Sequence, residues 1–179
     1  MSAEYNEDNL VEQATVDILE DIGWETQTAW GNETFGEHGN LGRENKSEVI
    51  LQKYLLPTLE KLNPDLPQSA YKDAYLQIVQ READKTLDRT NKEKYELIKS
   101  GVKVSFTNDD GELTKKTLKV FDFNNPYNNH FLAVRQLEVT GELYNRRPDV
   151  IGFVNGIPLV FFELKAHNRD LRHAYADNL

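Results

Sequence analysis

The stretch RPDVIGFVNGIPLVFFELK, residues 147–165, decides how the chain is read. Two apolar runs, Arg147 to Val154 and Ile157 to Leu164, are joined by Asn155-Gly156, a strong short-range signal for a β-hairpin. Two acids interrupt the apolar pattern: Asp149 near the start of the first run and Glu163 near the end of the second. A carboxylate among such neighbours costs several kcal/mol unless it is paired or holds a metal ion. Lys165 follows Glu163 by two residues, which puts both on one face of a strand.

The hairpin register decides whether these groups meet. A strict two-residue turn sets Val154 against Ile157 and Asp149 against Phe162, leaving Glu163 opposite Pro148 on the other face from Asp149, which disables the site. A three-residue loop, with Gly156 left-handed in a bulge, sets Phe153 against Ile157, Asp149 against Phe161 and Glu163 against Arg147. Asp149, Glu163 and Lys165 then share a face, the acids being diagonal neighbours about 7–8 Å apart. The bulged loop is the expected one.

Hard carboxylate oxygens without histidine or thiolate favour Mg²⁺, which keeps waters and phosphate oxygens in its octahedral shell. Such a site can activate water and offset charge on a phosphodiester, with the Lys165 ammonium beside the developing negative charge. The bare pattern Pro-Asp, gap, acid-x-Lys is weak, and its placement on two strands of one hairpin strengthens it. The plain structural alternative has Asp149 capping a strand end, Glu163 paired with Arg146 or Arg147, and Lys165 solvated.

Outward from the hairpin, helices come first. Leu10, Val11, Ala14, Ile18 and Ile22 recur at helical spacing, with Gly23 as a stop. Gly31 to Gly42 holds four glycines and reads as a loop. Helices are expected over 44–62, ended by Asn63-Pro64, over 68–87, and from Thr90, whose partner Glu93 suggests a capping box, to Gly101. Val102, Val104 and Phe106 then alternate with polar residues before a turn at Asp109-Asp110-Gly111. Leu118, Val120 and Phe121, and Phe131, Ala133 and Leu137, suggest further strands, and residues 168–179 have helical composition. The expected fold is mixed α/β (α+β): one domain over 1–179, helical over 1–100, sheet and hairpin over 101–165, and a cut-short helix over 168–179.

The chain of 179 residues is 39% hydrophobic and 28% charged, which suits a globular protein. No apolar run approaches the roughly 20 residues of a bilayer span, the polar start MSAEYNEDNL is no secretory signal, and there is no cysteine for a disulfide or thiolate site. A cytoplasmic setting is expected, with no membrane partner. The net charge of −9 is concentrated N-terminally: residues 1–66 carry 14 acids and 4 bases, whereas 67–140 carry 11 and 12, and 141–179 carry five of each. A chain so charged is expected to bind DNA weakly and to need a more basic partner.

Arg147-Pro148-Asp149-Val150, Gly152 to Leu159 and Phe162-Glu163-Leu164-Lys165 together resemble the nuclease core of type I restriction enzyme R subunits, members of the PD-(D/E)xK superfamily. Ile22-Gly23-Trp24, Leu62-Asn63-Pro64, Tyr95 to Gly101-Val102, Phe121-Asp122-Phe123 and Asn129-His130-Phe131 extend the likeness across the chain. The resemblance implies a restriction-endonuclease-like core: a mixed sheet of about five strands flanked by helices. It implies Asp149, Glu163 and the Leu164 backbone carbonyl as Mg²⁺ ligands and Lys165 as the catalytic lysine. Hydrolysis of double-stranded DNA would be the reaction. In that family the R subunit continues into ATP-driven translocase domains and works with specificity and methyltransferase subunits. Neither a Walker A motif nor helicase motifs occur here, so ATP would be bound by the full-length subunit and not by this part, which is expected to cut poorly or not at all alone. Related nucleases add an acid from the first helix, where Glu12 matches best. The family's Gln-x-x-x-Tyr motif after the lysine meets Asp177 at the glutamine position.

His38, His130, His167 and His173 are scattered and read as ordinary histidines rather than a metal cluster. Trp24, Trp30, Tyr71 and Tyr75 read as core or helix-packing residues, and Arg169 and Arg172 as one helix face able to touch phosphates. Two rival functions remain: another PD-(D/E)xK nuclease, of repair or recombination, and a non-catalytic module docking onto a larger DNA-processing assembly.

Overall fold

The computed structural model describes residues 7–80, 85–108, 110–141 and 144–164. Its first elements are α1 (Glu7–Asp21), β1 (Glu25–Thr28), α2 (Gln52–Leu62), α3 (Gln68–Val79), α4 (Leu87–Ser100), β2 (Val102–Thr107) and β3 (Leu113–Leu118). A 3₁₀ turn (Pro126–Asn128), β4 (Phe131–Arg135), β5 (Val139–Thr140), β6 (Asn145–Arg146), β7 (Val150–Val154) and β8 (Ile157–Phe162) follow. These form two compact units, one of residues 1–49 with 131–179 and one of residues 50–130. The fold is mixed α/β.

In the first unit the sheet order is β1-β4-β7-β8. β1 lies parallel to β4, while β4, β7 and β8 run antiparallel to their neighbours. Among the described residues the sheet has four strands rather than about five, and the hairpin β2–β3 is a separate two-stranded ribbon. β1 (Glu-Thr-Gln-Thr) escaped the sequence reading because it has no apolar residue to alternate.

α1 packs on this sheet by a face other than the expected stripe. Val16 and Leu19 form a buried cluster with Ala133 and Val150, and Trp24, Phe162 and Leu164 pack against it. Ala14 is exposed, and Ile18 and Ile22 are 62% and 68% exposed. The buried face is Glu12, Val16 and Leu19, spaced four and three residues apart; a buried ion pair at Glu12, described below, fixes this rotation.

Arg43 holds the glycine-rich segment in place. Fully buried, it donates to Glu33 through Nε (2.7 Å) and Nη2 (2.6 Å), and to the carbonyls of Lys46, Glu48 and Glu138. The carbonyls of 46 and 48 are thereby turned toward the guanidinium, which is incompatible with a helix running from residue 44. α2 therefore starts at Gln52, later than the sequence suggested.

In the second unit, α2 packs on α3, and α3 on β2. Asn63 ends α2 with its side chain buried, donating to the carbonyls of Leu59 and Lys119 and accepting the Lys119 N–H. α3 stops at Val79, short of the expected Leu87. α4 starts earlier than expected, because Thr86 and not Thr90 is the cap: its hydroxyl accepts the Arg89 N–H, and the Thr90 N–H already bonds the Thr86 carbonyl. Glu93 pairs instead with Lys85 and Arg89. β2 and β3 pair from Val102↔Leu118 to Thr107↔Leu113. Their turn has Gly111 left-handed at φ 82°, while Asp109 lies outside the described residues. Val120 and Phe121 are buried beyond the end of β3. The expected helix over 168–179 lies outside the described residues.

No helix among the described residues is long and apolar enough to cross a membrane.

Candidate active site

The hairpin's turn differs from the expected one, and its ladder restores what that turn was invoked to supply. Val154 pairs with Ile157 across a two-residue turn, with Asn155 at φ 53° and Gly156 at φ 78°, both positive as a type I′ turn demands. There is no three-residue loop. Phe153 pairs with Pro158, but Gly152 pairs with Val160, so Leu159 is an extra residue bulged out of β8. Beyond it the ladder runs Ile151↔Phe161 and Val150↔Phe162. Asp149 and Glu163 flank the last pair, one residue beyond the end of each strand, where the same register carried on would set them opposite one another. The expected pairs Asp149–Phe161 and Glu163–Arg147 are therefore replaced, and the shared face is kept. Residues directly opposed in an antiparallel pair have β-carbons about 4.5–5.5 Å apart, closer than the diagonal arrangement first inferred.

The bulge sits where packing is tight. A β-carbon on Gly152 would come within 3.0 Å of the Trp24 ring and 3.2 Å of the Val160 β-carbon. The indole of Trp24 fills the space a side chain would need there, and itself packs on Phe131 with ring centroids 5.2 Å apart.

Asp149 and Glu163 are both half-buried. Asp149 is fixed at both ends of the residue: its carbonyl accepts the Gln136 N–H at 2.9 Å, and its Oδ2 accepts the Leu164 N–H at 2.6 Å. The second bond bridges the strand ends. Lys165 lies outside the described residues, as do His167, Arg169, Arg172, His173 and Asp177. Among the described residues no three or more His, Asp and Glu side chains cluster as metal ligands would. The ligand set read from sequence was Asp149, Glu163 and the Leu164 carbonyl, with Glu12 as a further acid, and Glu12 does not join the other two in such a cluster.

Glu12 is 4% exposed. Its Oε2 accepts from Arg135 Nη2 at 3.1 Å, and Gln136 Nε2 donates to both of its oxygens, at 3.1 and 3.0 Å. Since Gln136 also donates its backbone N–H to Asp149, one residue links the α1 acid to the β7 acid. Gln136 adopts a left-handed backbone at φ 49°, uncommon for a residue with a side chain and concentrated near functional sites. Sequence reading singled out neither Gln136 nor Arg135. The only signal for them is position: they end the strand that pairs with β7.

The arginines next to the aspartate both lie over aromatic rings. Arg147 is 3.8 Å from the centroid of Trp30, and Arg146 is 5.3 Å from that of Tyr144. Trp30, read from sequence as a packing residue, is 51% exposed. It has no core to join because it follows β1 at the start of the glycine-rich segment.

A helix packed on a four-stranded mixed sheet, with two acids at the open end of its last hairpin, makes a nuclease-like α/β core. The family model described as "Type I restriction enzyme R protein N terminus" matches residues 4–179, and the chain belongs to that family. It is 37% identical over 159 residues to the type I restriction enzyme HindI endonuclease subunit of Haemophilus influenzae, covering 88% of this chain and 15% of that protein. It is 30% identical over 182 residues to a protein of Methanocaldococcus jannaschii assigned as the MjaIXP type I restriction enzyme endonuclease subunit, covering 99% of this chain and 17% of the relative. The chain thus spans about one sixth of the length of these relatives.

Proposed function

We propose that this chain is the DNA-cutting domain of a type I restriction enzyme R subunit, hydrolysing phosphodiester bonds with Asp149, Glu163 and Lys165. The observation that supports the reading is the bulge at Leu159, whose register carried one step on brings Asp149 beside Glu163, where Asp149 already bonds the Leu164 N–H. Two half-buried carboxylates so placed, with the Leu164 carbonyl, form an all-oxygen donor set that fits Mg²⁺. Bound there, Mg²⁺ supplies a water of lowered pKa and positive charge against the phosphate. Asp149 is kept in its orientation by the Leu164 N–H. Lys165 stabilises the negative charge that develops on the phosphate oxygens as water adds to phosphorus and the ester P–O bond breaks. Glu12, held by Arg135 and Gln136, is tied to Asp149 through Gln136 and acts on the site by positioning.

The full-length subunit, a site-specific deoxyribonuclease, would work in the cytoplasm with methyltransferase and specificity subunits on double-stranded DNA. It would draw on ATP through domains beyond these residues. The domain alone would be weakly active, as its acidic N-terminal third suggests. In the assembled enzyme, Asp149→Ala, Glu163→Ala and Lys165→Ala are each expected to abolish DNA cleavage and leave ATP hydrolysis intact. Cleavage retained by any of the three overturns the assignment.

A further inference from the structure

The cavity beside Trp30 has the character of a ligand site that the proposed chemistry does not use. It encloses about 450 Å³ and is lined by Trp30, Phe35, Lys46, Gln136 and Glu138 among others. That volume is within the usual range for small-ligand pockets. Trp30 and Phe35, both in its lining, are 51% and 42% exposed. Its lining charges are compensated: Lys46 pairs with Glu138, and Glu33 is paired from behind the wall by the buried Arg43. The interior is therefore close to neutral, with aromatic walls and an amide at Gln136. An uncharged flat ring with a polar edge suits it, whereas a phosphate or an acidic peptide does not. The Arg147 guanidinium lies over Trp30, a cation on an aromatic plate of the kind that binds single-stranded nucleic acid.

We infer that this cavity receives an unpaired nucleobase of the DNA strand that runs past Asp149 and Glu163, with Arg147 on the adjoining phosphate. The inference rests on the nuclease reading above and specifies its substrate. Two connections tie the cavity to the acids: Arg147 precedes Asp149 by two residues, and Gln136, which lines the cavity, bonds the Asp149 carbonyl. A base inside an intact duplex has both faces stacked and cannot enter. The domain therefore selects DNA that is locally unpaired, at a gap, a bubble or a frayed end.

The test uses the 179-residue chain at low salt and two oligonucleotide duplexes carrying one 2-aminopurine, either fully paired or within a short unpaired bubble. The 2-aminopurine emission of the bubble duplex should be quenched on binding, and the paired duplex should bind about tenfold more weakly. Trp30→Ala should weaken bubble binding about tenfold or more, the loss of one base–aromatic stack. Arg147→Lys, which keeps the charge and loses the plate, should reduce the quench, and circular dichroism checks that both variants fold. Equal binding of the two duplexes, wild-type binding by Trp30→Ala, or no emission change with either duplex overturns the inference. Mn²⁺ binding, followed by electron paramagnetic resonance, reports on the other reading separately. If Trp30-dependent quenching persists without Mn²⁺ bound at Asp149 and Glu163, the nuclease assignment fails and the base site stands.

Discussion

The Oδ2 oxygen of Asp149 accepts the backbone N–H of Leu164 at 2.6 Å, bridging the ends of two neighbouring strands just where the hairpin opens. One carboxylate therefore has a structural bond and a proposed chemical role, and the two can be separated. Asp149→Asn keeps an acceptor for the Leu164 N–H and should leave stability nearly unchanged. Asp149→Ala strands that donor and should cost about 1–3 kcal/mol in urea unfolding. Both should lose Mn²⁺ binding, and an Asp149→Asn protein that binds Mn²⁺ like the wild type would refute the ligand assignment.

The bulge at Leu159 yields a length test. Deleting Leu159 removes the extra residue but leaves every pair beyond it as it is, so Glu163 still faces Asp149 and Mn²⁺ binding should survive. Deleting Leu159 and Val160 together moves Glu163 back by one, opposite Val150, and onto the other face of the sheet. That double deletion should abolish Mn²⁺ binding. If both deletions bind equally well, register is not what brings the acids together.

Arg43 makes the buried contacts that organise the segment after β1. Lysine carries the charge but cannot reproduce a forked guanidinium bonded to one carboxylate and three carbonyls. Arg43→Lys should lower the unfolding free energy by about 3 kcal/mol, as breaking a buried ion pair does. A loss below about 1 kcal/mol would show that the segment is held by other means.

Asp122, in the second unit, is predicted to titrate below the ordinary aspartate range. The side-chain amide of Asn128 donates to its Oδ2 at 2.7 Å, and the backbone N–H groups of Asn125 and Asn124 donate to its Oδ1. A carboxyl lowered on folding contributes stability that is present above its unfolded pKa and is lost as pH falls through the folded value. Carbon-detected NMR titration should place the Asp122 midpoint below that of a model aspartate, and Asn128→Ala should move it upward. An unshifted midpoint would mean that these bonds do not persist in solution.

Much of the site was legible in the sequence because hairpins announce themselves. Asn155-Gly156 marks the turn, the flanking runs mark the strands, and the two acids stand out against them. The register was not legible in the same way. A bulge inside β8 leaves no composition signal, being set by how Gly152, Val160 and the Trp24 ring pack. β1 was invisible because Glu-Thr-Gln-Thr has no apolar alternation, although backbone pairing with β4 suffices to make it a strand. The face of α1 was misjudged for an electrostatic reason: Arg135 and Gln136 draw Glu12 inward, and Ile18 and Ile22 turn out with the rotation. Likewise Thr90 has the better-looking capping pattern, but Thr86 stands one turn earlier and takes the cap.

The bulge also divides the hairpin into two zones that keep different time. Near the tip, inward and outward positions follow the turn; near the open end they follow a count advanced by one. Anyone moving this motif into another scaffold has to transplant the arms together with their fault. A designer who kept every residue but extended the tip's regular pairing along both strands would obtain a well-paired hairpin with its acids facing away from each other.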